Sequence, residues 1–388
     1  MLLSSFYSGG VDSSLQGVYA ALPVKCMVYG RGCTRSLPKI LSHLGVSKAF
    51  IITGTSLKEK TPVIKDLEAG LGPAHVGTYS KVRQHAPIAD IEAATSQFRE
   101  SGADVLISVG GGSPIDAAKA VAFHIHEQTG SWVPSVAVPT TLSVAETTQG
   151  AGFTDKDGHK VAVADPELAP KAILYDGDLA LYTPTRLWLS SAIRAIDHAV
   201  ELQYNPVAPE FPTKRLCLEA LRELFHLLPL CHQNPSDADI RQKLLLAAYS
   251  SLFSLSFVAA IGLSHKIGHA IGATYGIPHG ITSCISLAPT VHFKADRNPN
   301  EAKQIARILP YIGRESSGDP TADAHAVGDA IDDLIGKLGL RSTLTDYNVS
   351  QGEVEAIALR VLGGNKEHPD FAALRDLIRG LYDQPCQL

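Results

Sequence analysis

The sequence lacks the paired cysteines that would indicate disulfides or a zinc-binding loop. Its six cysteines stand at unrelated positions, 26, 33, 217, 231, 284 and 386, and none has Cys-x-x-Cys spacing. Isolated thiols of this kind are typical of a reducing intracellular compartment. The first 24 residues contain no lysine or arginine, so the basic start of a secretory signal is also missing. We therefore expect a cytoplasmic protein with reduced cysteines.

An excess of positive charge is also absent. The 34 lysines and arginines are outnumbered by 39 aspartates and glutamates, which gives a formal net charge of −5 and no electrostatic basis for binding nucleic acid. One uncharged run, residues 244–263, is nominally long enough to cross a bilayer. Its serines and Tyr249 favour a buried helix of a globular protein instead. We expect a small-molecule substrate and no nucleic-acid or membrane partner.

The order of the predicted elements indicates two domains, which a chain with 45% hydrophobic residues is long enough to form. Strands are predicted at 49–52, 105–109, 136–138 and 172–174, and they alternate with helices such as 87–100 and 115–127. After Thr183 the pattern changes to long helices separated by turn signals. We predict an α/β N-terminal nucleotide-binding domain with a parallel sheet, residues 1–180, and an all-α C-terminal domain, residues 181–388.

Neither GxGxxG nor a Walker loop is present, yet one predicted strand ends in a run of glycines. Residues 105–109 lead into Gly-Gly-Gly-Ser-Pro and the start of a helix. Glycines permit close backbone approach, and the free N–H groups at a helix start attract an anion. We predict a phosphate cradle rather than a purely structural turn. The expected cofactor contacts are Gly110, Gly111, Gly112, Ser113, Asp116 and Lys119, with Thr140 and Thr141 at the end of the next strand.

Three histidines lie within fifteen residues of a second segment. His265 and His269 are four residues apart, so they share one face of a helix. The sequence Gly276-Ile277-Pro278 should end that helix, and His279 should return towards it from the turn. Neutral imidazoles bind zinc or iron and also transfer protons near neutral pH. We predict a site here, against the alternative of an ordinary core or surface histidine pair.

These motifs together resemble a known family. GGGSPIDAAK, a strand ending in VPTT, AIDHAVE, HKIGHAIGATYGIPHG and the early VYGRG are similar to the iron-containing alcohol dehydrogenase family over nearly the whole chain. HAPIADIEAA and PTTLSVAETTQGAGFTD are most similar to its maleylacetate reductase branch. The resemblance implies a dehydroquinate synthase-like fold, an α/β domain that binds NAD or NADP, a helical domain and a catalytic cleft between them. We expect an oxidoreductase that forms a homodimer.

The end of the second predicted strand bears on the choice of cofactor. Many NAD-using relatives place an acidic residue there, and such a carboxylate bonds the ribose 2′-hydroxyl and repels a 2′-phosphate. This chain has Gly54 and Ser56 in that region. Lys58 and Lys60 follow, either to pair with the phosphate or to lie on the solvated surface. We expect NADP, with NAD as the alternative.

The metal-binding pattern of the family is broken at one position. The resemblance aligns its aspartate and three histidine ligands with Arg194, His198, His265 and His279. A guanidinium cannot ligate a cation and repels one. Asp197 could replace the lost carboxylate only on a distorted helix, because adjacent helical residues diverge by roughly 100°. We therefore expect metal-free operation, as the resemblance to maleylacetate reductases also implies; any metal would use the three histidines.

The expected reaction is hydride transfer from NADPH or NADH to an unsaturated or carbonyl carbon of a small substrate, for which a carboxylate is one candidate. His269 is the expected general acid, while His198, His265 and His279 polarise the substrate oxygen. Arg194 either grips a substrate anion or forms a salt bridge with Asp197 or Glu201. Three alternatives stay open at this point: a metal-dependent alcohol dehydrogenase, a non-redox lyase, dehydratase or isomerase, and a catalytically silent ligand-binding protein.

Overall fold

The computed structural model describes residues 21–253 and 261–383, and this part of the chain divides into two compact units. One unit contains residues 21–185 and 234–253, and the other contains residues 186–233 and 261–383. The first unit is α/β, and within the described residues the second contains helices and no strand. The predicted fold class is therefore confirmed. Cys386 lies outside the described residues.

The α/β unit is built on a sheet of six parallel strands. The strands of the structure are β1 (Cys26–Tyr29), β2 (Ala49–Ile52), β3 (His75–Tyr79), β4 (Val105–Gly110), β5 (Ser135–Pro139), β6 (Gly150–Thr154), β7 (Lys160–Ala164) and β8 (Ala172–Tyr175). The main sheet has the order β1-β8-β5-β4-β2-β3, with every pair parallel, and β6 and β7 form a separate antiparallel hairpin. Strand β4 lies inside the sheet, so both of its edges are paired.

The four strands predicted from the sequence are present, whereas β1, β3 and the hairpin were not predicted. Two glycines interrupt β6, and one interrupts β3. Glycine lowers the strand propensity of a segment and hides its alternation. These strands therefore carry little local signal.

The helices account for most of the remaining structure. They are α1 (Leu37–Leu44), α2 (Thr55–Lys60), α3 (Val63–Leu71), α4 (Ile88–Ser101), α5 (Gly112–Thr129), α6 (Gly177–Ala180), α7 (Thr185–Tyr204), α8 (Arg215–Gln233), α9 (Ala238–Ser251), α10 (Leu263–Tyr275), α11 (His279–Arg297), α12 (Pro299–Ala306), α13 (Pro320–Lys337), α14 (Val354–Val361) and α15 (Phe371–Gly380). The helices predicted at 87–100 and 115–127 correspond to α4 and α5.

Alternating side chains of the buried strands form two hydrophobic layers, one on each face of the sheet. Phe50 and Leu106 pack in one layer with residues of α4 and α5. Ile51 and Ile107, each one position later, pack in the other layer with residues of α1 and α3. Because successive side chains of a strand point to opposite faces, such fully apolar strands need cover on both sides. The unit is a three-layer α/β/α structure, and the loops after its strands are free to carry the binding residues.

Helix α9 belongs to the α/β unit although it follows α7 and α8 in the chain. The Gln242 side chain accepts a hydrogen bond from the Gly177 amide at 2.8 Å and donates one to the Tyr175 carbonyl at 3.0 Å. Arg241 is buried and donates to the carbonyls of Ala180 and Thr183. These bonds attach α9 to the end of β8 and to α6.

The long uncharged run 244–263 is interrupted in the structure. Its first part lies in α9, residues 254–260 are outside the described part, and its last residue starts α10. Among the helices that are described, none combines the length and apolar character needed to cross a membrane.

The buried Asp176 carboxylate organises the end of β8. It accepts hydrogen bonds from the amides of Gly32, Thr34 and Asp178 at 2.8, 3.1 and 3.1 Å, and from the Thr34 hydroxyl at 2.8 Å. Asp176 is fully inaccessible to solvent. These bonds fix the turn after β1 to the start of α6.

We expect Asp176→Ala to lower the free energy of unfolding by about 3 kcal/mol, because buried N–H groups would lose their acceptor. Urea denaturation followed by circular dichroism measures this change. The matched control is Asp239→Ala, which removes an exposed carboxylate near Arg31 and should leave the unfolding midpoint almost unchanged. Equal effects of the two substitutions would contradict this role for Asp176.

Candidate functional site

The glycine turn after β4 forms an open cradle at the start of an 18-residue helix. Gly110 has φ 140°, a conformation that favours glycine, and α5 begins at Gly112. A Cβ at Gly111 would lie 3.0 Å from Cγ2 of Thr141. No acidic residue lies in the first turn of α5. The turn therefore fits an anionic phosphate group, as the sequence predicted.

Two residues beside this turn have left-handed backbones without being glycine. His85 and Ala86 have φ values of 64° and 46°, a conformation that is strained in residues other than glycine. The His85 amide donates a hydrogen bond to the Ser113 hydroxyl at 3.1 Å. The segment before α4 is thus attached to the cradle, a contact that sequence reasoning missed.

Lys119 is buried, and its ammonium group binds backbone carbonyls. It donates to the carbonyls of Ala145, Thr148 and Gly150 at 2.7, 2.6 and 2.9 Å, and to the Thr148 hydroxyl at 3.1 Å. Burial lowers its pKa to about 8, against the opposing effect of nearby carboxylates. The structure therefore shows that Lys119 anchors the segment from Ala145 to the start of β6. Its expected contact with the cofactor stays a prediction.

A buried acid lies close to this anchor. Glu146 is fully inaccessible and accepts a hydrogen bond from the Tyr175 hydroxyl at 2.7 Å. Burial raises the pKa of Glu146 to about 7, and burial also raises the pKa of Asp116 to about 6. Both shifts are opposed by the positive charge of Lys119. Sequence reasoning missed Glu146, since nothing local distinguishes it from an exposed glutamate.

The two threonines after β5 lie next to the cradle. The Thr140 amide donates to the Gly110 carbonyl at 2.9 Å, and the Thr140 carbonyl accepts from the Thr183 hydroxyl at 2.6 Å. The Thr141 hydroxyl shares a hydrogen bond of 3.0 Å with Ser143. The structure thus brings Thr140 and Thr141 together with the glycine turn.

The loop after β2 contains no carboxylate at its first positions. Gly54 precedes α2, and Ser56 is exposed. The Lys58 ammonium lies 2.6 Å from a carboxylate oxygen of Glu68, which also accepts a hydrogen bond from Thr78. Lys58 is therefore already paired within the protein, and Lys60 is the other lysine of α2.

In the helical unit, the predicted break between the histidines is confirmed. Helix α10 ends at Gly276, which has φ 68°, and α11 begins at His279 directly after Pro278. His265 is buried and His269 is exposed. The ring centroids of His269 and His279 are 6.3 Å apart. The local sequence was sufficient to predict this arrangement.

Helix α7 contributes four buried polar residues to the same region. Arg194, Asp197, His198 and Glu201 are all less than 9% exposed. The His198 and His265 ring centroids are 4.7 Å apart. Burial lowers the pKa of His198 well below its ordinary value, and the neighbouring His265 and Arg194 act in the same direction. His198 is therefore a neutral imidazole at pH 7.

Two carboxylates hold His265 on one side of its ring. Its Nδ1 atom lies 2.7 Å from Glu201 Oε2 and 3.4 Å from Asp197 Oδ1. Burial and Arg194 disfavour the charged ring, but the two carboxylates outweigh them and raise the pKa of His265. Within the described part of the chain, Nε2 of His265 is buried and has no hydrogen-bond partner. The ring is fixed by Nδ1 and presents Nε2.

Glu201 is enclosed by the start of α10. One of its carboxylate oxygens accepts from the Ser264 amide at 2.6 Å and from the Tyr204 hydroxyl at 3.0 Å. A Cβ at Gly262 would collide with this carboxylate, so the glycine leaves space for it. Sequence reasoning named Glu201 only as a salt-bridge partner of Arg194 and missed its bond to His265.

Asp197 reaches the site from a regular helix. Asp197 and Glu201 are four residues apart on α7, so both carboxylates face His265 without distortion. Asp197 Oδ2 also accepts from the hydroxyls of Ser264 at 3.0 Å and Ser283 at 2.6 Å. The Asp197 carboxylate meets the Nδ1 side of His265, and the expectation that it could replace the lost metal-binding carboxylate only on a distorted helix stays a prediction.

Arg194 has few partners for a buried cation. Its Nη1 atom donates to the Ser283 hydroxyl at 3.4 Å and lies 3.8 Å from Asp197 Oδ2. These are its polar contacts within the described residues. Burial lowers the pKa of the guanidinium, while Asp197 and Glu201 oppose that shift. A guanidinium has five N–H donors, and the residues that the structure describes accept a hydrogen bond from one of its nitrogens.

The residues that align with the metal ligands of the family do not fit a divalent cation. A guanidinium replaces the carboxylate, and its charge opposes that of a metal. Asp197, Glu201 and His265 each also offer one potential ligand atom, and these three atoms lie within 4.8 Å of one another. Their facing atoms, however, bind each other and the serine hydroxyls, at the distances of ordinary hydrogen bonds.

We expect Gly111→Val to abolish binding of NADPH while the protein stays folded, because the new side chain would fill the cradle against Thr141. Titration followed by nicotinamide fluorescence measures the affinity, and circular dichroism reports folding. The matched control is Gly70→Val in α3, where an added Cβ meets no atom within 4 Å. Unchanged affinity in folded Gly111→Val would remove the turn from the binding site.

Comparison with known proteins agrees with this geometry. Residues 25–177 match the family model "Iron-containing alcohol dehydrogenase", and residues 189–381 match "Fe-containing alcohol dehydrogenase family, C-terminal". A maleylacetate reductase of Sphingobium indicum is 32% identical over 84% of this chain and 88% of its own length. Maleylacetate reductase 1 of Cupriavidus pinatubonensis is 30% identical over 91% and 93%.

Solved structures are similar over the same extent. The crystal structure of maleylacetate reductase from Agrobacterium tumefaciens superimposes with a TM-score of 0.79 at 26% identity, covering 94% of this chain and 97% of that one. Because the two family models cover most of the sequence, this chain belongs to the iron-containing alcohol dehydrogenase family, in its maleylacetate reductase branch, and is an NAD(P)-dependent oxidoreductase.

Proposed function

We propose that this enzyme reduces a conjugated keto acid of the maleylacetate type with NADPH or NADH, and that it works without a metal ion. The observation that carries this proposal is Arg194, a buried guanidinium at the position where metal-binding relatives have a carboxylate. A fixed cation at that position can stabilise an anionic oxygen, which is the task that a metal performs elsewhere.

The contacts of Arg194 support a role in binding an anion. Among the described residues its one hydrogen bond is long, at 3.4 Å, and its ion pair with Asp197, at 3.8 Å, is longer than a direct hydrogen bond. An arginine that served only as a structural partner would place its donors on protein acceptors, as buried Arg241 does with three carbonyls. A carboxylate or enolate-like oxygen of the substrate would complete the unfilled donors of Arg194.

The neighbouring carboxylates keep this cation buried. Removing a partner from a buried charge costs on the order of 3–5 kcal/mol. Asp197 compensates Arg194, and two serine hydroxyls hold the Asp197 carboxylate in place. The site can therefore retain a positive group without a bound anion.

The α/β unit fits the nicotinamide cofactor implied by the family, since the cradle would be filled by a single Cβ. When bound, NAD(P)H supplies the hydride. Gly110, Gly111, Gly112 and Ser113 are proposed to hold its phosphates, with Thr140 and Thr141 beside them. Lys119 is proposed to keep the adjoining segment in position. Asp116 remains a proposed contact.

The histidines are proposed to donate the proton and to bond the substrate oxygen. His269 is exposed, so water can reprotonate it after each turnover, which supports its role as general acid. His198 is neutral and His265 presents Nε2, so both can bond the substrate oxygen. His279 is proposed to act with them. Glu201 fixes the His265 ring for this purpose.

NADP is the proposed cofactor because positions 54 and 56 are occupied by Gly54 and Ser56, which have no carboxylate that would repel a 2′-phosphate. Lys58 does not support this preference, since Glu68 already neutralises it. Lys60 remains the candidate partner for the phosphate. The homodimer and the cytoplasmic location expected from the sequence stay predictions.

We expect Gly54→Asp to move the preference from NADP towards NAD by on the order of 1–3 kcal/mol, through repulsion of the 2′-phosphate. The ratio of kcat/KM for the two cofactors measures this shift. Gly54→Ala is the matched control, because any added Cβ lies 3.3 Å from the Val82 carbonyl oxygen. If alanine shifts the ratio as far as aspartate, the effect is steric and the electrostatic argument fails.

We expect the enzyme to keep full activity after dialysis against EDTA, and Arg194→Ala to lower kcat by about 100-fold or more, because the developing oxyanion loses its nearby cation. Steady-state kinetics measure the loss, and unchanged NADPH affinity shows that the variant is folded. Arg186→Ala removes an exposed arginine from the same helix and should keep normal kcat.

Arg194→Asp should act in the opposite direction on metal binding. One carboxylate and three imidazoles suit zinc or ferrous iron, so this variant should gain a metal ion that an additional His198→Ala change removes. An EDTA-treated parent enzyme that loses activity and regains it with iron or zinc would overturn the metal-free proposal. An ordinary metal-dependent alcohol dehydrogenase would then be the better assignment.

A further inference from the structure

Helices α11 and α13 carry the same short pattern on facing surfaces. Each has a histidine followed four residues later by an aspartate: His292 with Asp296 on α11, and His325 with Asp329 on α13. Residues four apart share one face of a helix. The two pairs therefore place two imidazoles and two carboxylates together at the surface of the helical unit.

The two imidazoles face each other with their Nδ1 atoms. Nδ1 of His292 lies 2.8 Å from Nδ1 of His325, and the ring centroids are 5.1 Å apart with planes inclined by 24°. The opposite ring atoms point to carboxylates of the other helix. Nε2 of His325 is 2.8 Å from Asp296 Oδ1, and Nε2 of His292 is 3.5 Å from Asp329 Oδ1.

These contacts determine the protonation of the rings. A carboxylate accepts hydrogen bonds, so Asp296 and Asp329 favour N–H groups at both Nε2 atoms. A neutral imidazole with its proton on Nε2 has a lone pair on Nδ1. Two such lone pairs facing each other repel unless a proton or a metal cation lies between them. Histidine ligands in metal sites commonly donate their second N–H to a carboxylate in this way.

Gly328 provides the space that this arrangement requires. It lies inside α13, where glycine destabilises the helix relative to alanine. An added Cβ at this position would lie 2.8 Å from both Cε1 and Nε2 of His292. The ring of His292 can lie against α13 only because the side chain is missing there.

We propose that His292 and His325 form a binding site for a zinc-type divalent metal ion on the helical unit, with Asp296 and Asp329 orienting the two rings. The Nδ1 atoms are the ligands, and water completes the coordination. Imidazole nitrogens select this class of metal over calcium or magnesium, which prefer oxygen ligands. The site is separate from His198, His265 and His279, and it does not depend on the proposed reaction.

Binding requires a small movement of the rings. With Zn–N distances of about 2.0–2.1 Å and tetrahedral angles, the two nitrogens would be ~3.4 Å apart. The rings must therefore separate by ~0.6 Å from the present distance. Both side chains are about one-third exposed, at 34% each, so side-chain rotation can provide this movement. A bound ion would then join α11 to α13.

The test is calorimetric titration of EDTA-treated enzyme with zinc chloride. We expect one equivalent of zinc per chain at pH 7.5, and a rise in the melting temperature with zinc. His292→Asn and His325→Asn should each weaken zinc binding by at least tenfold and remove the thermal shift, while the metal-free melting temperature stays close to that of the parent. Gly328→Ala should weaken binding by displacing the His292 ring.

Two further variants separate this site from others. His226→Asn removes an exposed histidine of α8 and should bind zinc like the parent. His198→Asn should do so as well. No zinc uptake by the parent would overturn the proposal and leave the two rings sharing a proton. Uptake that His198→Asn removes, and that His292→Asn and His325→Asn keep, would also overturn it and would place the ion in the buried cluster.

Discussion

The contact between Glu201 and His265 is the constraint on which the helical site depends. The Glu201 carboxylate accepts hydrogen bonds from the Ser264 and His265 amides in the first turn of α10, and it also bonds Nδ1 of the His265 ring. It therefore sets the start of the helix and the direction of its first histidine together. The rest follows from this position: Nε2 of His265 points away from the acids, His198 packs beside the ring, and Asp197 lies between His265 and Arg194. A carboxylate in this role needs a glycine opposite it, which explains Gly262.

Two buried cations, Lys119 in the α/β unit and Arg194 in the helical unit, differ in how far their N–H donors are satisfied by described residues. The Lys119 ammonium has four oxygen partners between 2.6 and 3.1 Å, which satisfy its donors completely. Within the described part of the chain, Arg194 has one hydrogen bond of 3.4 Å and a carboxylate oxygen at 3.8 Å. Burying a cation is unfavourable unless its hydrogen bonds are made. Lys119 therefore stabilises a loop, whereas the described residues leave most donors of Arg194 without an acceptor, which supports the proposed binding of an anion. Both residues are long and basic, so residue type alone would not have distinguished these two environments.

Local patterns predicted the features that are determined locally. The strands β2, β4, β5 and β8, the glycine turn and the break before His279 each follow from a few adjacent residues. The position of Arg194 was also visible, because it interrupts a recognisable motif. The partners that Lys119, Glu201 and Asp197 find in other elements were not, since those partners lie 26 to 86 residues away in the sequence. The motif predicted that Lys119 contacts the cofactor, and only the packing shows its carbonyl partners. The hairpin of β6 and β7 was missed because glycines weaken its alternation.

Helix α9 also constrains the order in which the chain can fold during synthesis. The end of β8 and helix α6 are tied to Gln242 and Arg241, yet α7 and α8 are made in between. Domains generally fold as units from the N-terminus as the chain emerges from the ribosome. Here the α/β unit cannot complete its contacts until more than fifty further residues have been translated after α7 begins, which takes roughly several seconds at ordinary elongation rates. During that interval the Gly177 amide and the Tyr175 carbonyl are without their Gln242 partner, and the first part of the helical unit already exists as nascent chain.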